Sequence, residues 1–251
     1  MAILEGSFYS KNLGRDTDVS IVLPHDSAAE PAWGYPVLYL FHGSGDNHKA
    51  WLLRSNIERY AAERGVALVL PDVQDSFYCD MKYGGKYLTY LIEELPEMAG
   101  RMFHISYTRE RSFVGGAGAG GYGALKCALL SPERFSGCIA LSPVTEIQAY
   151  VDYTVREGKS KLWKGIFGED LYIDKSHDLY TLASNANSFI HICPKFYIAC
   201  GKQDSVYEQN LRFKEHLNDC HIDFTFEQAN AGEEWSFWDA AVQRGLDLML
   251  S

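Results

Sequence analysis

A glycine-rich run in the middle of the chain has the spacing of a catalytic turn but lacks its reactive residue. The run Gly-Ala-Gly-Ala-Gly at residues 116–120 follows an apolar stretch and opens a helical one. The G-x-S-x-G nucleophile elbow occupies the same setting, and its middle residue supplies the hydroxyl that attacks an ester. Position 118 is glycine, which has no side chain. The sequence therefore predicts the scaffold of a hydrolase without the nucleophile.

Two other interpretations of this run stay open. It could be a glycine-rich strand-to-helix turn with no catalytic role, or a phosphate-binding turn of the Rossmann type. Against the phosphate turn, the run lies in the middle of the chain instead of after the first strand, and no acid ends the next apolar strand at 138–141. The hydrolase interpretation is favoured.

Further segments supply the remaining parts of such a site. The loop after the apolar run at 37–41 contains His42 and Ser44, and the backbone N–H groups of Ser44 and Ala119 could form an oxyanion hole. His42 itself is more simply a structural loop histidine. Asp204 follows a late apolar strand, where the triad acid belongs in the order Ser, Asp, His. An aspartate there could instead cap a helix.

Composition excludes several classes of partner. The chain has 251 residues, 47% hydrophobic and 22% charged, with a net charge of −10 and no basic run. These values predict a soluble globule that binds neither nucleic acid nor anionic membrane. The N-terminus lacks the features of a signal peptide, and no apolar stretch is long enough to cross a membrane, so we expect a cytoplasmic protein.

The six cysteines are predicted to be free thiols. They lie at 79, 127, 138, 193, 200 and 220 and include no C-x-x-C pair. Their spacing is also unlike the disulfide framework of a short secreted chain. Most fall in apolar segments, where cysteine serves as a small hydrophobic residue. Neither a disulfide nor a zinc site is expected.

Strand and helix patterns alternate along most of the chain. Strands are predicted at 3–10, 19–23, 37–41, 66–70, 112–115, 138–141, 196–200 and 224–226. Helices are predicted at 56–63, around residues 88–95, at 120–130 and 206–217, and as a final helix at 235–249. The first two strands should form an antiparallel edge, with a loop at 28–34 following them. The alternation of the remaining strands and helices predicts an α/β fold, with a mostly parallel, doubly wound sheet in a single domain. Residues 143–193 form an insertion expected to cap the active-site end.

The chain resembles the esterase D family over nearly its whole length. Within that family it is most similar to the bacterial tributyrin-esterase and feruloyl-esterase branch, through segments at 5–10, 56–60, 76–78, 83–85, 93–96 and 207–213. The family elbow reads Gly-x-Ser-x-Gly-Gly-Tyr-Gly-Ala, and the matching run at 120–124 places the missing serine at position 118. The resemblance implies an α/β-hydrolase fold and a serine carboxylesterase for short-chain acyl esters, without a metal or organic cofactor.

The same resemblance implies a second loss. The family's triad acid falls on Asp204, whereas its histidine, in a Gly-His-Glu-Trp segment, falls on Glu233. Of the histidines after Asp204, His216 and His221 precede a further strand and are out of place for the site. Two carboxylates at 204 and 233 would raise the pKa of one or attract a cation.

These features give three hypotheses about function. The first is a catalytically inactive or impaired esterase-like protein that binds an acyl ester, a carboxylate or an aromatic ligand. Its pocket would be lined by Trp51, Tyr78, Tyr83 and the insertion before Cys193. The second is an active carboxylesterase, either through water activated by Glu233 or in a form that carries serine at 118. The third is an interaction protein, since relatives of this fold often form homo-oligomers.

Overall fold

An eight-stranded, mostly parallel sheet forms the centre of the structure, a computed structural model that describes residues 1–24 and 32–251. The strands are β1 (Ala2–Ser10), β2 (Arg15–Leu23), β3 (Val37–Phe41), β4 (Ala67–Pro71), β5 (Ser112–Ala117), β6 (Gly137–Leu141), β7 (Lys195–Gly201) and β8 (Phe224–Ala229). Their spatial order is β1-β2-β4-β3-β5-β6-β7-β8. Strands β1, β2 and β4 pair antiparallel, and all other pairs are parallel. The predicted fold class is confirmed.

The central strands explain why their sequences could be recognised. Every residue of β3, β4, β5 and β6 is buried. A strand covered on both faces reads as a continuous apolar run, without alternation. Strand β2 begins at Arg15, earlier than the predicted start at residue 19, because its first residues are polar and exposed near the sheet edge. Residues 28–31 of the predicted loop lie outside the described residues.

Helices cover both faces of the sheet. They are α1 (Ala50–Arg54), α2 (Ile57–Arg64), α3 (Tyr87–Thr89), α4 (Leu95–Met102), α5 (Ala119–Leu130), α6 (Ile147–Thr154), α7 (Ser160–Phe167), α8 (Leu179–Asn185), α9 (Tyr207–Asp219) and α10 (Trp235–Leu250). One core contains residues of α1, α2 and α10 together with Leu38 and Leu40 of β3. The other contains residues of α4, α5, α8 and α9 together with Val37, Tyr39 and Phe41. Successive residues of a strand point to opposite faces, so the two cores lie on opposite sides of the sheet.

The turn from β5 into α5 passes in direct contact with the end of β3. A Cβ atom at Gly120 would lie 2.5 Å from the carbonyl oxygen of Phe41, and one at Gly116 would lie 2.6 Å from the backbone of Gly120. Real Cβ atoms do not approach backbone this closely. Glycine at 116 and 120 therefore allows the elbow to sit against β3.

A buried lysine ties α5 to the segments around it. The ammonium of Lys126 donates to the carbonyl of Tyr78 at 3.2 Å, to Sγ of Cys79 at 3.2 Å and to Nδ1 of His177 at 2.7 Å. Burial, and after it the charge of Lys126, lowers the pKa of His177 to about 4. His177 is thus neutral at pH 7, and its Nδ1 can accept a hydrogen bond from the lysine ammonium.

The contact between the elbow and β3 predicts unequal effects of two glycine substitutions. Gly120→Ala should lower the free energy of unfolding by more than ~2 kcal/mol, because the new methyl group meets backbone that cannot rotate away. Gly6→Ala is the matched control, since a Cβ there meets no described heavy atom within 4 Å. Denaturant unfolding of both variants measures the difference. Equal stability of the two variants would contradict the close approach.

Candidate active site

Five of the residues predicted from sequence line one cavity at the carboxyl end of the parallel strands. The cavity has a volume of about 560 Å³, within the ~300–1,000 Å³ typical of small-molecule sites. Ser44, Gly118, Ala119, Asp204 and Glu233 all line it. Segments that follow four different strands, β3, β5, β7 and β8, thus bring the predicted site together.

Gly118 has a backbone conformation of the kind found at a nucleophile elbow, which is strained for residues with a Cβ but not for glycine. Its φ is 57° and its ψ is −117°, and its backbone N–H donates to the carbonyl of Leu141 at 2.9 Å. A Cβ at this position would meet no described heavy atom within 4 Å. A side chain at 118 therefore has room, but a residue with a Cβ would pay ~1–3 kcal/mol of backbone strain that glycine avoids.

Ala119 and Ser44, the two residues whose backbone N–H groups were predicted to form an oxyanion hole, lie on the lining of the cavity near Gly118. Ala119 is the first residue of α5, where backbone N–H groups have no acceptor within the helix. Ser44 lies in the loop after β3, and that loop is held by His42. Nδ1 of His42 lies 2.8 Å from the carbonyl of Gly43, and Nε2 accepts from the N–H of Val73 at 3.2 Å. Burial lowers the pKa of His42, which keeps the ring neutral in this loop role.

Asp204 is a buried carboxylate with one oxygen that accepts no hydrogen bond from the described residues. The residue is 7% exposed, and its Oδ1 accepts from the N–H of Val206 at 3.0 Å just before α9 begins. Its Oδ2 is buried and has no hydrogen-bond partner within the described part of the chain. In a Ser-His-Asp triad the imidazole N–H binds this acid. The unpaired Oδ2 of Asp204 is therefore an acceptor that lacks a donor among the described residues.

Glu233 lies beside Asp204 at the edge of the cavity. The loop that carries it contacts the Asp204 loop, because the N–H of Gln203 donates to the carbonyl of Ala231 at 2.9 Å. Partial burial, and after it the charge of Asp204, raises the pKa of Glu233. The pKa of Tyr150 is raised first by its own burial and further by the charge of Glu233. The two acids therefore share one electrostatic environment, as predicted for carboxylates at these positions.

The three aromatic residues predicted to line the pocket are absent from the lining of this cavity, although Tyr78 borders a small space together with Ser44 and Ala119. Trp51 is 1% exposed, and its indole donates to the carbonyl of Phe41 at 2.9 Å. Tyr78 is 2% exposed, and its hydroxyl donates to the carbonyl of His42 at 2.6 Å. Both anchor the end of β3 from within the core. Tyr83 is 63% exposed and its backbone pairs with Gly165, away from the cavity.

Other aromatic residues line the cavity instead: Tyr150 and Tyr153 on α6, and Trp235 and Trp238 on α10. The tryptophan rings are 5.3 Å apart and nearly perpendicular, and the Trp238 indole donates to Ser142 at 3.1 Å. Trp235 and Trp238 are three residues apart and therefore lie on the same face of α10. The first turn of α10 lines the cavity, whereas later turns of the same face pack on the sheet. Helical periodicity identifies the face but not the point along it at which the cavity begins.

The histidines that follow Asp204 and one possible cation site lie outside the lining of this cavity. Among residues 1–24 and 32–251, no histidine lines it, and Nε2 of His216 binds the carbonyl of Tyr180 on another part of the surface. The six cysteines all lie in the described residues and are free thiols, as predicted. Asp18, His48 and Asp72 have ligand atoms within 4.8 Å of one another, a spacing that could hold a cation, but they lie outside the cavity lining.

The parallel sheet, the elbow between β5 and α5 and the acid after β7 define the α/β-hydrolase class. The chain belongs to the Esterase family, whose family model matches residues 10–247. The resemblance to the esterase D family found in the sequence is confirmed.

Known relatives span the whole chain. It is 30% identical to an acetyl esterase from Caldicellulosiruptor saccharolyticus, over 99% of this chain and 98% of the relative. The Staphylococcus aureus serine hydrolase FphF, solved with substrate bound, is 28% identical with a TM-score of 0.89, covering 100% of this chain and 98% of that one. The S-formylglutathione hydrolase FrmB of Staphylococcus aureus is 28% identical with a TM-score of 0.87, covering 100% and 99%. None of the helices in the described ranges has the length and apolar character needed to cross a bilayer.

The raised pKa of Glu233 predicts a pH-dependent effect on stability. When a carboxyl group has a higher pKa in the folded state than in the unfolded state, it destabilises the fold at pH values above the pKa of the unfolded state. The reason is that ionisation costs more free energy in the folded site than in the unfolded chain. Glu233→Gln should therefore raise the melting temperature at pH 7.5 by a few degrees, and the gain should disappear near pH 4. Thermal unfolding at both pH values measures this. Glu215→Gln, on the exposed side of α9, is the control for the change in net charge.

Proposed function

We propose that this esterase-family protein binds a small acyl ester in the cavity at the elbow but does not form an acyl-enzyme. The observation that carries the proposal is the elbow itself: its backbone and oxyanion donors are retained, while Gly118 offers no nucleophile. Acyl transfer through serine also needs an imidazole to take and return the proton. Glu233 at the histidine position can accept a proton, but it has no hydroxyl to activate.

The relatives support an ester as the ligand. One is named an acetyl esterase and another an S-formylglutathione hydrolase, so both act on compounds with a small acyl group. The N–H groups of Ser44 and Ala119 line the same cavity as Gly118, and they would hold the carbonyl oxygen of a bound ester. A carboxylate ligand fits less well, because Asp204 and Glu233 would repel it.

A second candidate function is slow hydrolysis by water. The raised pKa of Glu233 favours it, because a stronger base abstracts a proton from water more readily. The oxyanion donors would stabilise the tetrahedral intermediate. In serine proteases whose triad residues are removed, the oxyanion hole and substrate binding still accelerate the reaction roughly 10³- to 10⁴-fold over the uncatalysed rate in water.

Restoring the lost side chains tests the proposal. The unmodified chain should hydrolyse 4-nitrophenyl acetate near the spontaneous rate and resist labelling by a fluorophosphonate probe. The double variant Gly118→Ser with Glu233→His should gain labelling and hydrolyse on the order of 10³-fold faster, because it regains nucleophile and base next to Asp204. Steady-state kinetics and gel detection of the probe measure both.

The controls separate the candidate functions. Gly118→Ala with Glu233→His regains the imidazole but not the hydroxyl, so it should stay unlabelled. Labelling of the unmodified chain, or turnover equal to that of the double variant, would contradict the proposal. Slow turnover that disappears in Glu233→Ala would support the water route instead.

A further inference from the structure

We infer that the cavity binds a ligand carrying a protonated nitrogen, an ammonium or imidazolium group, which takes the place of the lost imidazole next to Asp204. This inference rests on the proposed function, because it treats the cavity as a binding site that no longer performs serine chemistry. It adds the chemical class of the group that the cavity recognises.

The first argument is the orphaned oxygen of Asp204. The residue is more than nine-tenths buried, lines the cavity and has an Oδ2 without a hydrogen-bond partner among the described residues. A buried carboxylate oxygen without a donor is unfavourable, and a charged N–H is its strongest partner. Glu233 replaces the family histidine and in its ionised form offers no donor. A ligand N–H can satisfy both acids.

The second argument is the charge of the cavity. Four acids line it, namely Asp46, Glu157, Asp204 and Glu233, against two bases, Arg54 and Lys159. Arg54 is already paired with Asp46 at 2.8 Å. Of the two lining bases, only Lys159 then remains to balance the three other acids, so the cavity attracts cations and repels anions.

The third argument is the shape and lining of the cavity. Its volume of about 560 Å³ holds a ligand with an aromatic or short aliphatic body. Tyr150, Tyr153, Trp235 and Trp238 provide the apolar and aromatic walls for that body. Aromatic rings also attract cations, as the Arg54 guanidinium 5.4 Å from the centre of the Trp235 ring illustrates. The space left open at Gly118 adds room beside Asp204.

Three probes with the same ring and different charge test the inference. Benzylammonium, benzyl alcohol and benzoate are titrated into the unmodified protein at pH 7.5, with binding followed by calorimetry and by the fluorescence of the cavity tryptophans. Benzylammonium should bind at least tenfold more tightly than benzyl alcohol, and benzoate more weakly than both. Equal binding of the three probes, or a preference for benzoate, would overturn the inference.

Variants assign the preference to the orphaned oxygen. Asp204→Asn keeps an oxygen for the N–H of Val206 and should weaken benzylammonium binding at least tenfold. Asp219→Asn, exposed at the end of α9, removes the same charge outside the cavity and should leave binding unchanged. If Asp204→Asn does not fold, Glu233→Gln replaces it, with an expected loss of severalfold. Unchanged affinity in the folded variant would overturn the inference.

The inference and the proposed function can fail separately. Rapid ester hydrolysis by the unmodified chain would contradict the proposed function whatever the probes do. Competitive inhibition of that hydrolysis by benzylammonium but not by benzoate would support the cation site nonetheless. A catalytically inert chain that binds all three probes equally would leave the proposed function standing and overturn the cation site.

Discussion

The geometry of the site depends on one backbone contact, the passage of the elbow against the end of β3. At Gly120 and at Gly116 even a methyl group would collide with backbone. This contact sets the distance between the start of α5, which carries Ala119, and the loop that carries Ser44. It involves no side-chain atom of residue 118. The positions of the Ala119 and Ser44 backbone therefore do not depend on which side chain stands at 118.

Much of the fold and the centre of the site could be predicted from the sequence, because they depend on local patterns. Buried parallel strands read as unbroken apolar runs, and the elbow glycines are fixed by backbone packing. The positions of Asp204 and Glu233 follow from their order relative to strands and the last helix. The aromatic lining could not be predicted in this way. Whether Trp51 enters the core or Tyr150 enters the cavity depends on contacts between distant segments, and residue type alone does not decide it. The unpaired oxygen of Asp204 is likewise visible only in three dimensions.

A buried acid and a second carboxylate near it give the cavity an excess of negative charge. In a catalytic triad the acid is buried to hold an imidazole, and its desolvation is offset by that partner. Here Asp204 is buried, its Oδ2 has no partner among the described residues, and the pKa of Glu233 is raised by burial and then by the charge of Asp204. The effect reaches Tyr150 on α6, whose pKa responds to Glu233. The two acids thus make the pocket electronegative.

The open space at Gly118 also makes this chain a scaffold for selective chemical attachment. Five of the six native cysteines are buried, and Cys193 is half-buried with its pKa raised by burial to about 11, so their thiols react slowly. A chain carrying Gly118→Cys would present an additional thiol to the cavity, at the start of a helix whose dipole favours the thiolate. Metal chelates or organocatalysts could be attached there, inside a chiral pocket that already holds donors for a developing oxyanion. A site that lost its own reactive atom is in this sense ready to receive a synthetic one.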